Sequence, residues 1–297
     1  MRHLLEIDDL SPAELEQVMA LASTPDPPRV LAGKGMALLF AKPSARTRNS
    51  MEMAVSQLGG HPVYIQADEV GLDRRESAED VTNTLACYHS AIGARVFEHS
   101  TVERMAALNR VPVVNMLSDQ AHPLQAIADL LTIRREFGSL DGRSVAYVGD
   151  ANNVARSLAL GCGMTGMQFR IASPAGYTFS DSDLDRIRAT GIEPVVADRP
   201  EEAIKGADVV YTDVWTSMGQ EDEKTQRLRD FEGFCVNERL MSHAQVGAVF
   251  LHCLPAHRGE EVSAEIADGP RSRIWVQATN RMHAARGLLA WLLSQND

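Results

Sequence analysis

Short apolar runs alternate along this chain with segments of helical spacing. Met36–Phe40 reads as a buried strand, followed by Ser50–Leu58, where Met51, Ala54, Val55 and Leu58 fall on one side of a helix. Val63–Ile65, Ala91–Phe97 and Val111–Asn115 complete a first series of β-type runs. A second series is Val145–Gly149, Gln168–Ala172, Glu193–Val196, Val209–Asp213 and Val249–Cys253. Strands alternating with helices predict a parallel α/β architecture.

Helix punctuation supports the reading. Ser11-Pro12-Ala13-Glu14 is an N-cap with Pro at the first helical position and Glu at the third, and Thr24-Pro25-Asp26-Pro27-Pro28 separates that helix from the first strand. Pro123–Phe137 is a long helix closed by Gly138, after which Gly138–Gly142 reads as a connector. The expected boundary follows it: 1–138 and 139–279, with a last helix from Asn280 to about Gln295. That helix is apolar (Leu288, Leu289, Trp291, Leu292, Leu293), a kind that commonly packs back across a first domain.

Composition narrows the class. At 297 residues, 44% hydrophobic and 23% charged, the chain suits a soluble globular protein of two domains. No run approaches the roughly 18 apolar residues of a membrane span. Met1–Asp8 lacks an apolar signal core, so the expected location is cytoplasmic. A net charge of −11 argues against general nucleic-acid binding. The four cysteines show no C-x-x-C spacing and read as free thiols.

Against that acidic background, Phe40-Ala41-Lys42-Pro43-Ser44-Ala45-Arg46-Thr47-Arg48 gathers two Arg, Ser and Thr at a strand-to-helix turn. Backbone N–H groups and the helix dipole favour an anion there, and an Arg fork matches phosphate geometry. The turn is not a Walker A loop, because no Gly-Lys-Ser/Thr closes it. Asn115–Gln125 follows a strand, and His122 and Gln125 project from one side of a helix start, placed to donate to a carbonyl oxygen or simply to cap the helix. Asp213, at a strand's C-terminal edge, is a candidate for a substrate ammonium. Ser217-Met218-Gly219 then opens a polar loop to about Arg229, either a lid or plain solvated surface.

Around Cys253, in His252-Cys253-Leu254-Pro255-Ala256-His257, three readings compete. These are a nucleophilic thiol, a metal site using His252, Cys253 and His257, and a thiol that lends polarity without a covalent bond. Val145–Val154 is a strand entering a helix without G-x-G-x-x-G; Asn152 and Asn153 there are either helix caps or amides for a zwitterion.

Taken together these segments resemble the aspartate/ornithine carbamoyltransferase family nearly end to end. Pro43–Arg48 resembles its carbamoyl phosphate motif and His122-Pro123-Leu124-Gln125 its second one. Asp213, Ser217-Met218-Gly219 and His252-Cys253-Leu254-Pro255 are similar to the ornithine branch. The resemblance implies two doubly wound parallel-sheet α/β domains joined by long helices. The first (1–138 plus 280–297) would bind carbamoyl phosphate and the second (139–279) L-ornithine, in a homotrimer or a multiple of trimers without metal or organic cofactor. It assigns Ser44, Ala45, Arg46, Thr47, Arg95, His122, Gln125, Cys253, Leu254 and Arg281 to carbamoyl phosphate. Asn153, Asp213, Ser217 and Met218 go to ornithine, and Cys253, Arg95 and His122 to catalysis, with the thiol non-covalent.

Two positions depart from the family pattern. Ala45 stands where Thr is frequent. Gly71 stands where Gln is frequent, ahead of Arg74-Arg75-Glu76, in a loop that in relatives reaches a neighbouring subunit. Rival expectations are another amine acceptor (putrescine, lysine or acetylornithine) and a non-catalytic binding subunit.

Overall fold

The computed structural model describes residues 1–217, 219 and 221–296, with Glu221 as backbone only. The chain divides into two compact units, 1–128 with 279–297, and 129–278. The cuts fall inside the Pro123–Phe137 and Ile274–Ser294 helices, so each helix continues from one unit into the other.

In the first unit, strands β1 (Gly35–Phe40), β2 (His61–Gln66), β3 (Ala91–Arg95) and β4 (Val113–Leu117) form a parallel sheet in the order β2-β1-β3-β4. The second unit holds β5 (Ser144–Val148), β6 (Gln168–Ala172), β7 (Val195–Ala197), β8 (Val209–Tyr211) and β9 (Val249–Leu251). These are also parallel, in the order β7-β6-β5-β8-β9. The expected parallel α/β architecture is present in both. Strands β3 and β5, inside their sheets, are buried at every position, as sheets covered on both faces require.

The predicted caps form. Ser11 Oγ accepts from Glu14 N–H while Glu14 accepts from Ser11 N–H, and Gly138 closes its helix at φ +76° with its N–H on the Arg134 carbonyl. The last helix packs within the first unit against Pro12–Ser23. Trp291 Nε1 donates to Gln17 at 3.0 Å, and Arg286 donates to the carbonyls of Ala22 and Thr24. A Cβ on Gly287 would stand 2.5 Å from Val18 O and Ala22 N, so only glycine allows this approach.

That helix begins at Ile274, earlier than the Asn280 expected. Ile274-Trp275-Val276 favours strands by propensity, but a tertiary contact prevails. Gln277, three residues in, donates to Asp129 at 2.7 Å and Tyr211 Oη at 3.0 Å, and accepts from His252 N–H at 2.9 Å.

Candidate active site

Sheet order locates the first polar centre. The chain leaves β1 for β2 on one side and returns to β3 on the other, so the C-terminal ends of β1 and β3 flank a topological switch point, where open α/β sheets bind ligands. Phe40 ends β1, and Ser44 caps the Ala45–Gln57 helix, its Oγ accepting from Thr47 N–H at 3.2 Å. Arg95 ends β3. The β3–β4 register skips a residue between Ala94 and Arg95, an irregularity of the kind that re-aims a side chain.

Two guanidinium groups meet there. Thr47 Oγ1 accepts from Arg95 Nη1 at 3.3 Å, from Arg281 Nη2 at 3.0 Å and from Ser44 Oγ at 3.2 Å. Arg281 Nη1 also donates to Gln125 Oε1 at 2.6 Å. Arg95, Arg281, Thr47, His122 and Gln125 are all buried, whereas Arg46 and Ala45 are exposed at the helix start. Two buried guanidinium groups brought together at a helix N-terminus suit an anion in charge and in geometry.

His122 feels the same field. Burial, then the charges of Arg281, Arg95 and Arg46, hold its pKa well below the ordinary histidine value. The ring is therefore neutral near pH 7, with one N–H to donate.

The second centre repeats the topology with different chemistry. The switch point of this sheet lies between β5 and β8. The expected strands through Asp213 and Cys253 stop two residues earlier, at Tyr211 and Leu251, because ladder pairing ends there. Asp213 and Cys253 consequently stand just beyond the sheet edge. Buried Asp213 accepts on Oδ1 from Cys253 Sγ at 3.0 Å and on Oδ2 from Asn152 Nδ2 at 3.0 Å. Stacked Tyr147 and Tyr211 lie nearby, ring centroids 5.4 Å apart. Burial, reinforced by surrounding acidic groups, drives both phenol pKa values well above the ordinary one, so both stay protonated. Asn153 opens the Asn153–Met164 helix, half-buried like Ser217; Met218 lies outside the described residues.

The surroundings of Cys253 bear on the three readings. His252 cannot serve it as a base: Nδ1 accepts from Leu254 N–H at 2.9 Å, and Nε2 faces Glu261 Oε1 at 3.1 Å in a fully buried pair. The trio His252, Cys253 and His257 does not assemble. Among the described residues, the candidate ligand groups are Asp213–His252–Cys253 and His257–Glu260–Glu261, and both His252 nitrogens are engaged as above. The Cys253 thiol instead donates to a carboxylate oxygen of Asp213. Leu254, at φ +64° before a cis peptide to Pro255, belongs with Cys253 to the second unit.

Part of the expected polar loop is helical. Glu221–Glu223 forms a 3₁₀ turn and Lys224–Asp230 an α-helix. Arg227 is the reason: buried, it donates to Glu223 at 2.8 Å, Asp150 at 2.7 Å and the Trp215 carbonyl at 2.9 Å. Nothing in the local charge pattern distinguishes it from its solvated neighbours. Gly71 sits at φ +66° with a Cβ position 2.7 Å from Arg75 Cβ, so the turn is built for glycine and not for the Gln frequent in relatives. Arg75 is engaged locally with Glu69 O and Glu76.

Comparison with known proteins agrees in both units. Residues 2–135 match the aspartate/ornithine carbamoyltransferase carbamoyl-P binding domain, and residues 141–292 the Asp/Orn binding domain. The chain is 48% identical to an ornithine carbamoyltransferase of Thermus thermophilus, covering 98% of this chain and 97% of that one. It is 44% identical to one of Haloquadratum walsbyi, over 99% and 98%. A crystal structure of ornithine carbamoyltransferase from Thermus thermophilus superposes with a TM-score of 0.91 at 45% identity, covering 99% of each chain. The Pyrococcus furiosus enzyme reaches 0.93 at 41%, over 99% and 97%. With both units matched in order and over nearly their whole length, the chain belongs to the aspartate/ornithine carbamoyltransferase family.

Proposed function

We propose that the chain is an enzyme transferring the carbamoyl group of carbamoyl phosphate to the δ-amine of L-ornithine, giving L-citrulline and phosphate. One observation carries the reading most: Arg95 and Arg281, from distant segments, meet on Thr47 at a helix N-terminus, beside Gln125 and a neutral His122. In this reading Ser44, Ala45, Arg46 and Thr47 hold the phosphate, and Arg95 and His122 stabilise the oxyanion of the tetrahedral intermediate. Asp213, with Asn153, Ser217 and Met218, orients ornithine. Cys253 and Leu254 act on the carbamoyl group and the attacking amine, the thiol without a covalent bond.

The amine attacks only when neutral. With a pKa of about 10.4 by analogy with lysine, deprotonation at pH 7 costs roughly 4.6 kcal/mol. Activity therefore rises toward alkaline pH, and in this reading the hydrogen-bonded Asp213–Cys253 pair orients the departing proton. No step invokes a metal or an organic cofactor. We assign the protein to the cytoplasm and, on the family resemblance, to a trimer or multiple of trimers. Sedimentation as a monomer at assay concentration would remove the latter.

The experiment is incubation with carbamoyl phosphate and, separately, ornithine, acetylornithine, lysine and putrescine, assaying phosphate and ureido product. Citrulline from ornithine alone is expected. Preferred use of another amine, or no ureido product from any, overturns the reading.

A further inference from the structure

We infer that Asn152 is a positioning residue for the acceptor, because it fixes the carboxylate of Asp213. This rests on the reading of Asp213 as an ornithine ligand. Asn152 is the N-cap of the Asn153–Met164 helix: its Oδ1 accepts from Val154 N–H at 2.9 Å and Ala155 N–H at 3.1 Å. Tyr147 Oη donates to the same oxygen at 3.4 Å. Three donors on one atom determine which end of the amide is oxygen. The opposite end, Nδ2, must then face away from the helix start, and there it meets Asp213 Oδ2 at 3.0 Å.

The consequence is orientational. Asp213 follows β8 on a segment with no ladder partner, so its side chain takes its direction from what holds it. Cys253 holds one oxygen and Asn152 the other, on bonds from separate segments of the same unit. The cap makes Asn152 rigid, and its rigidity passes to the carboxylate. A cap alone requires only a short acceptor, which Ser or Asp supplies as well as Asn does. The donor toward Asp213 requires the amide.

That difference makes the test. Asn152→Ser keeps a capping oxygen but cannot reach Asp213; Asn152→Asp keeps cap and size but sets a second carboxyl group against Asp213, and two such groups cannot ionise independently. Both variants are expected to melt close to wild type and to keep the wild-type KM for carbamoyl phosphate. Asn152→Ser loses roughly tenfold to a hundredfold in kcat/KM for ornithine, the worth of one hydrogen bond to a charged group. Asn152→Asp loses more, and its kcat/KM–pH profile gains an ionisation that wild type lacks. In an Asp213→Asn background, Asn152→Ser adds little further loss, because the partner it positions is already altered.

Wild-type ornithine kinetics and pH profile in both variants, or losses that only track melting temperature, overturn the inference. So does full additivity with Asp213→Asn. The reading beneath it fails separately: Asp213→Asn with wild-type ornithine kinetics removes Asp213 as a ligand, whereas an impaired Asp213→Asn beside intact Asn152 variants removes only the positioning role.

Discussion

The two polar centres occupy the same place in two similarly wound sheets and are built to opposite specifications. In the first, buried Arg95 and Arg281 share a threonine hydroxyl, and burial reinforced by their charge keeps His122 neutral. In the second, a buried carboxylate takes donors from a thiol and an amide, above phenols that remain protonated. Sheet topology determines where a ligand binds, and the side chains at the strand ends determine its charge. Under the proposed reading the first centre takes the anion and the second the amine, the division that carbamoyl phosphate and ornithine require.

Arg281→Ala attacks this contrast hardest. Loss of a buried cation that also orients Thr47 and Gln125 is expected to cost about 4 kcal/mol, or about a thousandfold in kcat/KM. Steady-state kinetics within tenfold of wild type would show that the anion is held elsewhere. Asp213→Asn follows, with about 3 kcal/mol lost in kcat/KM for ornithine. Its KM for carbamoyl phosphate should stay unchanged; a parallel rise in that constant would blur the division.

Cys253→Ser sharpens the second centre. Serine can still donate to Asp213, so the expected loss is partial, about 1.5 kcal/mol, with no phosphate released in the absence of ornithine. Phosphate release without acceptor by the wild-type protein, abolished in this variant, would instead indicate a covalent carbamoyl-thiol.

The smallest effect is on stability. Because His122 is held below its ordinary pKa of about 6.5, only the unfolded chain takes up this proton in mildly acid solution. Stability therefore falls with decreasing pH below about 6.5, by roughly 1 kcal/mol per pH unit from this group, until the folded ring also protonates. His3 and His89 are lowered by burial too, so the contribution of His122 is isolated by denaturant titrations of wild type and His122→Gln. An identical acid slope in both would contradict it.

Much of the architecture was legible because it rests on local patterns. Apolar runs marked the strands, and the Ser11–Glu14 box and Gly138 marked helix ends, since each depends on residues within a few positions. The Ser44–Thr47 turn was legible for the same reason. What escaped depends on distant partners. Strands β8 and β9 end where a neighbouring strand stops pairing, not where apolar character stops. The Lys224–Asp230 helix follows from a burial of Arg227 that composition conceals. Asn152 was recognisable as a cap, but its second bond reaches 61 residues along the chain. His252 looked available beside Cys253, and only the fold shows both its nitrogens taken.

The most direct test of the division is calorimetric titration of carbamoyl phosphate, without ornithine, into wild type, Arg281→Ala and Asp213→Asn. The account predicts equal affinity for wild type and Asp213→Asn and no measurable binding to Arg281→Ala. Wild-type affinity in Arg281→Ala, or binding abolished in Asp213→Asn, would contradict it.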